Sequence, residues 1–253
     1  MKSAIRTACL LLSACLLLVT SAGALQNSRA GAAQRLPLTA DQLKFLSHVS
    51  MVDLPDGLGG FVRTVRISGI NVQIVNDSGT TDGNPDGLGN LIIGYNELRG
   101  AGDDHTGSHN LVTGRRNNYK SFGGLVAGSN NEVSGAWSSV NGGFRNSASA
   151  NNSSVSGGFN NSASGDYASV SGGFVCAATG VFSSVSGGGF NIASGAWSSV
   201  SGGFRNTAYG GESSVSGGRY NTASGRASTV SGGRSRSATR SDQWAAGSLV
   251  ENN

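Results

Sequence analysis

Histidines and carboxylates cluster at one place in this 253-residue sequence, the insert Gly102-Asp103-Asp104-His105-Thr106-Gly107-Ser108-His109. Such side chains could ligate a divalent cation or move a proton. His105 and His109 stand four apart, a spacing that converges on one metal only when a helix carries it, and Gly102 and Gly107 oppose a helix. The insert therefore reads as a polar loop with no catalytic or metal-binding role. The stretch Asn76 to Asn90 holds Asp77, Asp82 and Asp86 between glycines. Acidic loops can hold calcium, but the EF-hand ligand spacing is absent, so this too reads as a solvated loop.

Two further sets of side chains recur in phase. Trp137, Tyr167, Phe182 and Trp197 form one aromatic column, interrupted by Asn152 and ended by Glu212. Phe144, Phe159, Phe174 and Phe204 form a second, interrupted by Gly189 and continued by Arg219 and Arg234. Such columns could stack on sugar rings, bind a surface or close a subunit contact, because contiguous exposed aromatic stripes on a soluble protein call for a partner.

What positions these columns is a repeat. Val140, Val155, Val170, Val185, Val200, Val215 and Val230 fall fifteen residues apart, each within Ser-Val-Ser-Gly-Gly or a close variant. Asn146, Asn161, Asn191, Asn206 and Asn221 follow six residues behind, with Cys176 as the one substitute, and alanines come two residues later. Earlier units centred on Val112 and Val126, with Asn117 and Asn131, are spaced by fourteen; the second glycine, first seen as Gly143, is the expected one-residue insertion. A fixed period this short suits neither a helical repeat nor a Gly/Ser linker, which has no reason to hold Val, Asn and Ala in phase.

The expected fold is all-β, a parallel β-solenoid (β-roll) of 14–15-residue coils with a short N-terminal helix, each coil pairing with the next at roughly 4.8 Å. Alternation places valine with the first glycine, and asparagine with alanine, on the inner side. The asparagines Asn117, Asn131, Asn146, Asn161, Asn191, Asn206 and Asn221 are expected to form an internal ladder bonded amide to amide.

Lys2 and Arg6 precede the apolar run Ala8 to Thr20, which ends in Ala22-Gly23-Ala24, so residues 1–24 read as a cleavable secretory signal. Leu12-Ser13-Ala14-Cys15 also resembles a bacterial lipobox, and a membrane tether follows only if Cys15 is acylated. Cleavage after Ala24 removes Cys9 and Cys15 and leaves Cys176 alone, with no internal disulfide. It also lowers the formal charge from +4 to +2, which gives no argument for nucleic acid. Residues 25–50 form a linker and a short helix opened by a Thr39/Gln42 capping box. Residues 51–110 hold strands and loops leading into the solenoid, with period-two runs at Phe61, Val65, Ile67 and at Ile70, Val72, Ile74. The repeat proper spans 111–240, and 241–253 cap its open end.

With the coils in view, the chain resembles the head domains of trimeric autotransporter adhesins, the YadA-like left-handed β-roll, over about Leu91 to Arg240. Ser139-Val140-Asn141-Gly142 with Ala148, and Ser154-Val155-Ser156-Gly157 with Ala163-Ser164-Gly165, hold the places of that family's Ser-x-Ala-x-Gly and Ala-x-Gly elements. The resemblance implies a homotrimer with adhesive outer faces, meeting a host surface or a polysaccharide. The extra glycine and the asparagine column depart from that pattern, and so does the repeat's reaching within about twenty residues of Asn253, which leaves no room for a C-terminal membrane barrel.

The expected function is therefore that of a secreted or cell-surface structural protein, not an enzyme and without cofactors. One alternative is a β-helical polysaccharide-degrading enzyme. Asp166 and Glu212, the only acids between Val133 and Arg240, lie three coils apart, near 14 Å by strand spacing. A glycosidase pair needs about 5 to 9.5 Å. The other alternative, an ice-binding solenoid, lacks a regular Thr-x-Thr array.

Overall fold

The computed structural model describes residues 37–247 and 249–251. The expected secretory signal, Cys15 and most of the expected linker lie outside the described residues, as do the side chains of Leu249, Val250 and Glu251. The chain divides into two compact units, the first ending at Val72 and the second beginning at Gln73.

In the first unit, α1 (Ala40–Leu46) starts at a reciprocal cap. Thr39 Oγ1 accepts the Gln42 N–H at 3.2 Å and Gln42 Oε1 accepts the Thr39 N–H at 2.8 Å. The helix has seven residues, none of them buried. β1 (Val49–Pro55) and β2 (Phe61–Ile67) pair antiparallel, and their loop closes on Asp56, whose Oδ1 accepts the N–H groups of Leu58 and Gly60, both at 2.8 Å. The expected strand through Ile70, Val72 and Ile74 does not form: past the turn at Gly69 (φ 75°) the chain has no strand partner.

The second unit is a parallel β-solenoid. One edge is a 12-stranded sheet from β3 (Leu91–Ile93) through the Ser-Val segments and β22 (Trp244–Ala246) to the last strand, β23 (Leu249–Glu251). The other is a 9-stranded sheet from β5 (Asn118–Tyr119) to β21 (Ser237–Ala238). Identical phases sit side by side: Val155 pairs with Val140 and Val170, and Ala163 with Ala148 and Ala178. A third line of single bridges joins Phe144, Phe159, Phe174, Gly189, Phe204, Arg219 and Arg234 from coil to coil. At the C-terminal end β23 (Leu249–Glu251) folds back antiparallel on β22.

The interior is narrow. Columns of valine and alanine run its length, almost all at 0–1% exposure, and Tyr119 is the largest buried side chain. Serines immediately before the Ser-Val pairs form a buried column that the sequence reading missed: Ser138, Ser153, Ser183, Ser198, Ser213 and Ser228, with Ala168 in the same phase. Oγ of Ser138, Ser153 and Ser228 donates to a carbonyl three residues back at 2.7 Å.

The expected glycine roles are reversed. Gly114, Gly128, Gly143, Gly158 and Gly203 share one register with φ between 80° and 96°, so the older glycine of the fourteen-residue coil is the second of the later pair. The inserted residue is the first glycine, Gly142 and its equivalents. It is also not an inner-wall residue, since a methyl added at Gly142 or Gly202 would meet nothing, whereas one at Gly203 would overlap Gly218 O and Asn206 Nδ2.

Candidate functional site

Each coil turns at two corners, and at each a single non-glycine residue adopts the left-handed conformation. At one corner these are Trp137, Tyr167, Phe182 and Trp197, with φ between 57° and 61°. At the other they are the residues following the phenylalanine column, among them Arg145, Phe190, Arg205 and Tyr220, with φ between 54° and 58°. The left-handed turn reverses the hydrogen bonding: strand N–H groups donate to the following coil, as Ser154 N–H does to Ala168 O at 2.9 Å. The corner N–H donates to the preceding one, as Trp197 N–H does to Val181 O at 2.9 Å. Glycine or asparagine meets this requirement cheaply, while other residues pay about 1–2 kcal/mol. Bulky aromatics are therefore the least economical choice for the turn itself.

At the Trp/Tyr corner the rings stack along the axis. Tyr167 lies 4.7 Å from Phe182 at 8°, and Phe182 lies 4.1 Å from Trp197 at 10°. Trp137 stands apart from this stack, edge-on to Phe122 at 5.3 Å and 82°. Exposure remains high, 49% for Trp137, 53% for Tyr167, 39% for Phe182 and 61% for Trp197. Between Trp137 and Tyr167, where Asn152 takes the corner, an open recess is lined by Asn151, Asn152 and Asp166.

The phenylalanine corner is more continuous than its own column suggests. Phe144, Phe159 and Phe174 stack at 5.7 and 5.2 Å. Where Gly189 interrupts them, Phe190 turns across the gap and meets Phe174 at 5.2 Å and Phe204 at 5.5 Å, both edge-on. Tyr220 extends the series 5.9 Å from Phe204. Arg145 lies over Phe144 at 5.2 Å, Arg205 against Phe190, Phe204 and Tyr220 at 5.5–5.8 Å, and Arg219 against Phe204 and Tyr220 at 5.4 and 5.8 Å. Phe190, Tyr220, Arg145 and Arg205 were missed because each period was read for identical residues in one phase. The signal lay one position further on, where Phe190, Arg205 and Tyr220 follow one another on successive coils.

The asparagine column is buried, from Asn117 to Asn221, but its bonds differ from the expected ones. Each Oδ1 accepts a backbone N–H of the next coil: Asn131 takes it from Asn146 at 2.7 Å, Asn146 from Asn161 at 2.9 Å and Asn191 from Asn206 at 2.9 Å. From Asn146 onward each Nδ2 donates to glycine carbonyls of its own coil and the next, as Asn161 does to Gly157 and Gly173 at 2.9 and 3.0 Å, whereas Asn117 and Asn131 use Thr113 O and Ala127 O in their own coils. The ladder thus runs from amide to backbone and not from amide to amide. Cys176 keeps its place there, its thiol facing the carbonyls of Gly187 and Gly188 at 3.6 Å, and burial raises its pKa above the ordinary thiol value.

The polar insert does not converge. His105 stacks on Tyr119 at 4.8 Å with Nε2 3.3 Å from Asp103, whereas His109 Nδ1 faces Thr81 O at 3.1 Å. Among the described residues no group of three or more His, Cys, Asp or Glu side chains could hold a metal ion. Asp86 and Asp104 sit below the ordinary carboxylate range, Asp86 chiefly through the Asn76 amide and Ser108 hydroxyl, Asp104 chiefly through the Thr106 hydroxyl. Asp166 Oδ1 accepts the Asn151 N–H at 3.1 Å, and Glu212 pairs with Arg226 at 2.9 Å. The two acids are engaged separately at positions three coils apart. No described helix is long and apolar enough to cross a membrane. No family model matches the chain, and no curated protein matches it either.

Proposed function

We propose that this is a non-enzymatic, secreted or cell-surface structural protein of the adhesin-head type, a homotrimer whose coils display a repetitive binding surface. One observation carries the reading: Trp137, Tyr167, Phe182 and Trp197 occupy left-handed corners that favour glycine or asparagine, and all four stay substantially exposed. Strain held at a surface points to a role for the residue that bears it.

The Trp/Tyr corner is the proposed subunit contact. The buried wall of each coil is valine, alanine, asparagine and serine, little apolar area for a free-standing rod. An aromatic side chain buries about 150–250 Å², and at about 25 cal/mol per Å² closing this corner between chains contributes several kcal/mol after the costs of association. The resemblance to YadA-like heads supports the same assembly and an outward adhesive role.

Incubation with a panel of neutral and acidic glycans, scored for both retention and cleavage products, tests the functional class. Retention without products is the expected result. Products that vanish in Asp166→Asn or Glu212→Gln would replace this reading with the β-helical hydrolase.

A further inference from the structure

The phenylalanine corner carries charge in an unusual way. Arg115, Arg116, Arg145, Arg205, Arg219 and Arg234 all lie on its two columns, all are exposed, and none makes an ion pair among the described residues. No acid occurs in either column from Arg115 to Ser235. The three acids between Arg115 and Ser235 have other partners: Glu132 pairs with Arg99 and Lys120 at 3.6 and 3.0 Å, Glu212 with Arg226, and Asp166 accepts the Asn151 N–H. Six like charges along one edge repel one another and none has an opposite charge as partner among the described residues, so a partner of opposite charge is the natural complement.

We infer that this corner is a docking ridge for a linear acidic polysaccharide, one bearing carboxylate or sulfate groups along an extended chain. Arg205, Arg219 and Arg234 stand on three successive coils, one cation for roughly every 4.8 Å of axis. Phe190, Phe204 and Tyr220 lie within 5.4–5.8 Å of the Arg205 and Arg219 guanidinium carbons. Ring contact holds the Arg205 and Arg219 guanidinium planes in place and reduces the entropy lost when their N–H edges pair with an anion. Carboxylate and sulfate both accept two such N–H groups side by side.

The rings argue against single-stranded nucleic acid as the occupant. That ligand needs open aromatic faces on which bases stack. Here Phe159 has a neighbour on each side along the axis, Phe144 at 5.7 Å and Phe174 at 5.2 Å, and Phe204 lies between Phe190 and Tyr220. Phe159 is thus stacked within the column, and the Phe204 ring has the Arg205 and Arg219 guanidinium carbons at 5.5 and 5.4 Å from its centroid. A second copy of the chain is disfavoured too, because around a threefold contact this corner would bring arginine against arginine.

The inference rests on the reading of the coils as a binding surface, but on the opposite corner from the proposed subunit contact. Its test is binding of the full secreted chain to immobilised polygalacturonate, dextran sulfate, unsubstituted dextran and poly-dT. The comparison is with an Arg205→Gln, Arg219→Gln, Arg234→Gln variant whose fold is checked by circular dichroism. The expected result is retention on one or both acidic polysaccharides that falls with salt, none on unsubstituted dextran, and at least tenfold weaker binding by the variant. The polygalacturonate and dextran sulfate arms tell carboxylate from sulfate. Equal binding by a folded variant, no retention on either acidic polymer, or tighter binding to poly-dT overturns the inference. A Trp137→Ser, Trp197→Ser variant changes subunit assembly without removing the arginines, so loss of trimerisation and loss of polyanion binding are read separately.

Discussion

Asn206 Oδ1 accepts the backbone N–H of Asn221, one coil further along, at 3.0 Å, while Asn206 Nδ2 donates to Gly202 O at 2.8 Å and Gly218 O at 3.0 Å. One amide therefore satisfies three backbone groups in two coils. Asn206→Leu leaves the Asn221 N–H and Gly202 O unpaired at roughly 1–3 kcal/mol for each group that stays buried, while Gly218 O keeps the Phe204 N–H at 3.0 Å. Thermal unfolding of the variant is expected well below that of the parent; an unchanged melting temperature would mean that water replaces the amide.

The reverse change is available at Cys176, where Asn161 Oδ1 still accepts the Cys176 N–H at 2.8 Å but the thiol offers only long contacts onward. Cys176→Asn restores the amide in a backbone that accepts asparagine at the other coils. It is expected to stabilise by about 1 kcal/mol in denaturant titration. A lower midpoint would show that the site has adapted to sulfur.

Strand alternation predicts a contrast between neighbours. Val185 is about 1% exposed, between Val170 and Val200, while Ser184 is half-buried on the outer side. Val185→Asp places an unpaired carboxylate in the core at a cost of several kcal/mol, and Ser184→Asp is expected to be mild. Equal losses of melting temperature would contradict the assigned faces.

A second contrast separates adjacent glycines. Gly203, at φ 86°, has backbone atoms of Gly218 where a methyl would go, whereas Gly202 has open space. Gly203→Ala is expected to destabilise by several kcal/mol and Gly202→Ala by well under 1 kcal/mol. Comparable chemical-denaturation midpoints for the two would return the inserted position to the second glycine.

These contrasts mark how far the sequence was readable. Seven valines in one phase disclose the coil, because a parallel ladder with no slippage demands identical residues at identical positions. The same habit hid what depends on local backbone geometry. Left-handed corners are not visible as a residue type when Trp, Tyr, Arg and Asn all occupy them, so Phe190 and Tyr220 seemed to fall outside the column that they complete. The glycine pair was misassigned for a similar reason: both are glycine, and only the register with Gly114 and Gly128 tells which one faces its neighbour's carbonyl. Small alternating runs such as Ile70 to Ile74 need a partner strand, which composition alone does not supply.

The hydrogen-bonded carboxylates at the N-terminal end of the second unit set a pH response. Asp86 and Asp104 titrate below their unfolded values, so their contribution is present above about pH 4 and is lost as the pH falls through the depressed native values. Melting temperature is expected to stay level between pH 5 and 8 as far as these groups act, and to fall below pH 4. Asp104→Asn should flatten the acid limb; an unaltered limb would assign the acid response to other groups.

The mass of the chain in solution tests the assembly most directly. Sedimentation equilibrium at micromolar concentration is expected to return three times the chain mass, and the Trp137→Ser, Trp197→Ser double variant is expected to dissociate or to melt earlier. A wild-type monomer would contradict the trimer and leave the stacked rings of Tyr167, Phe182 and Trp197 as a ligand-facing surface on a single chain.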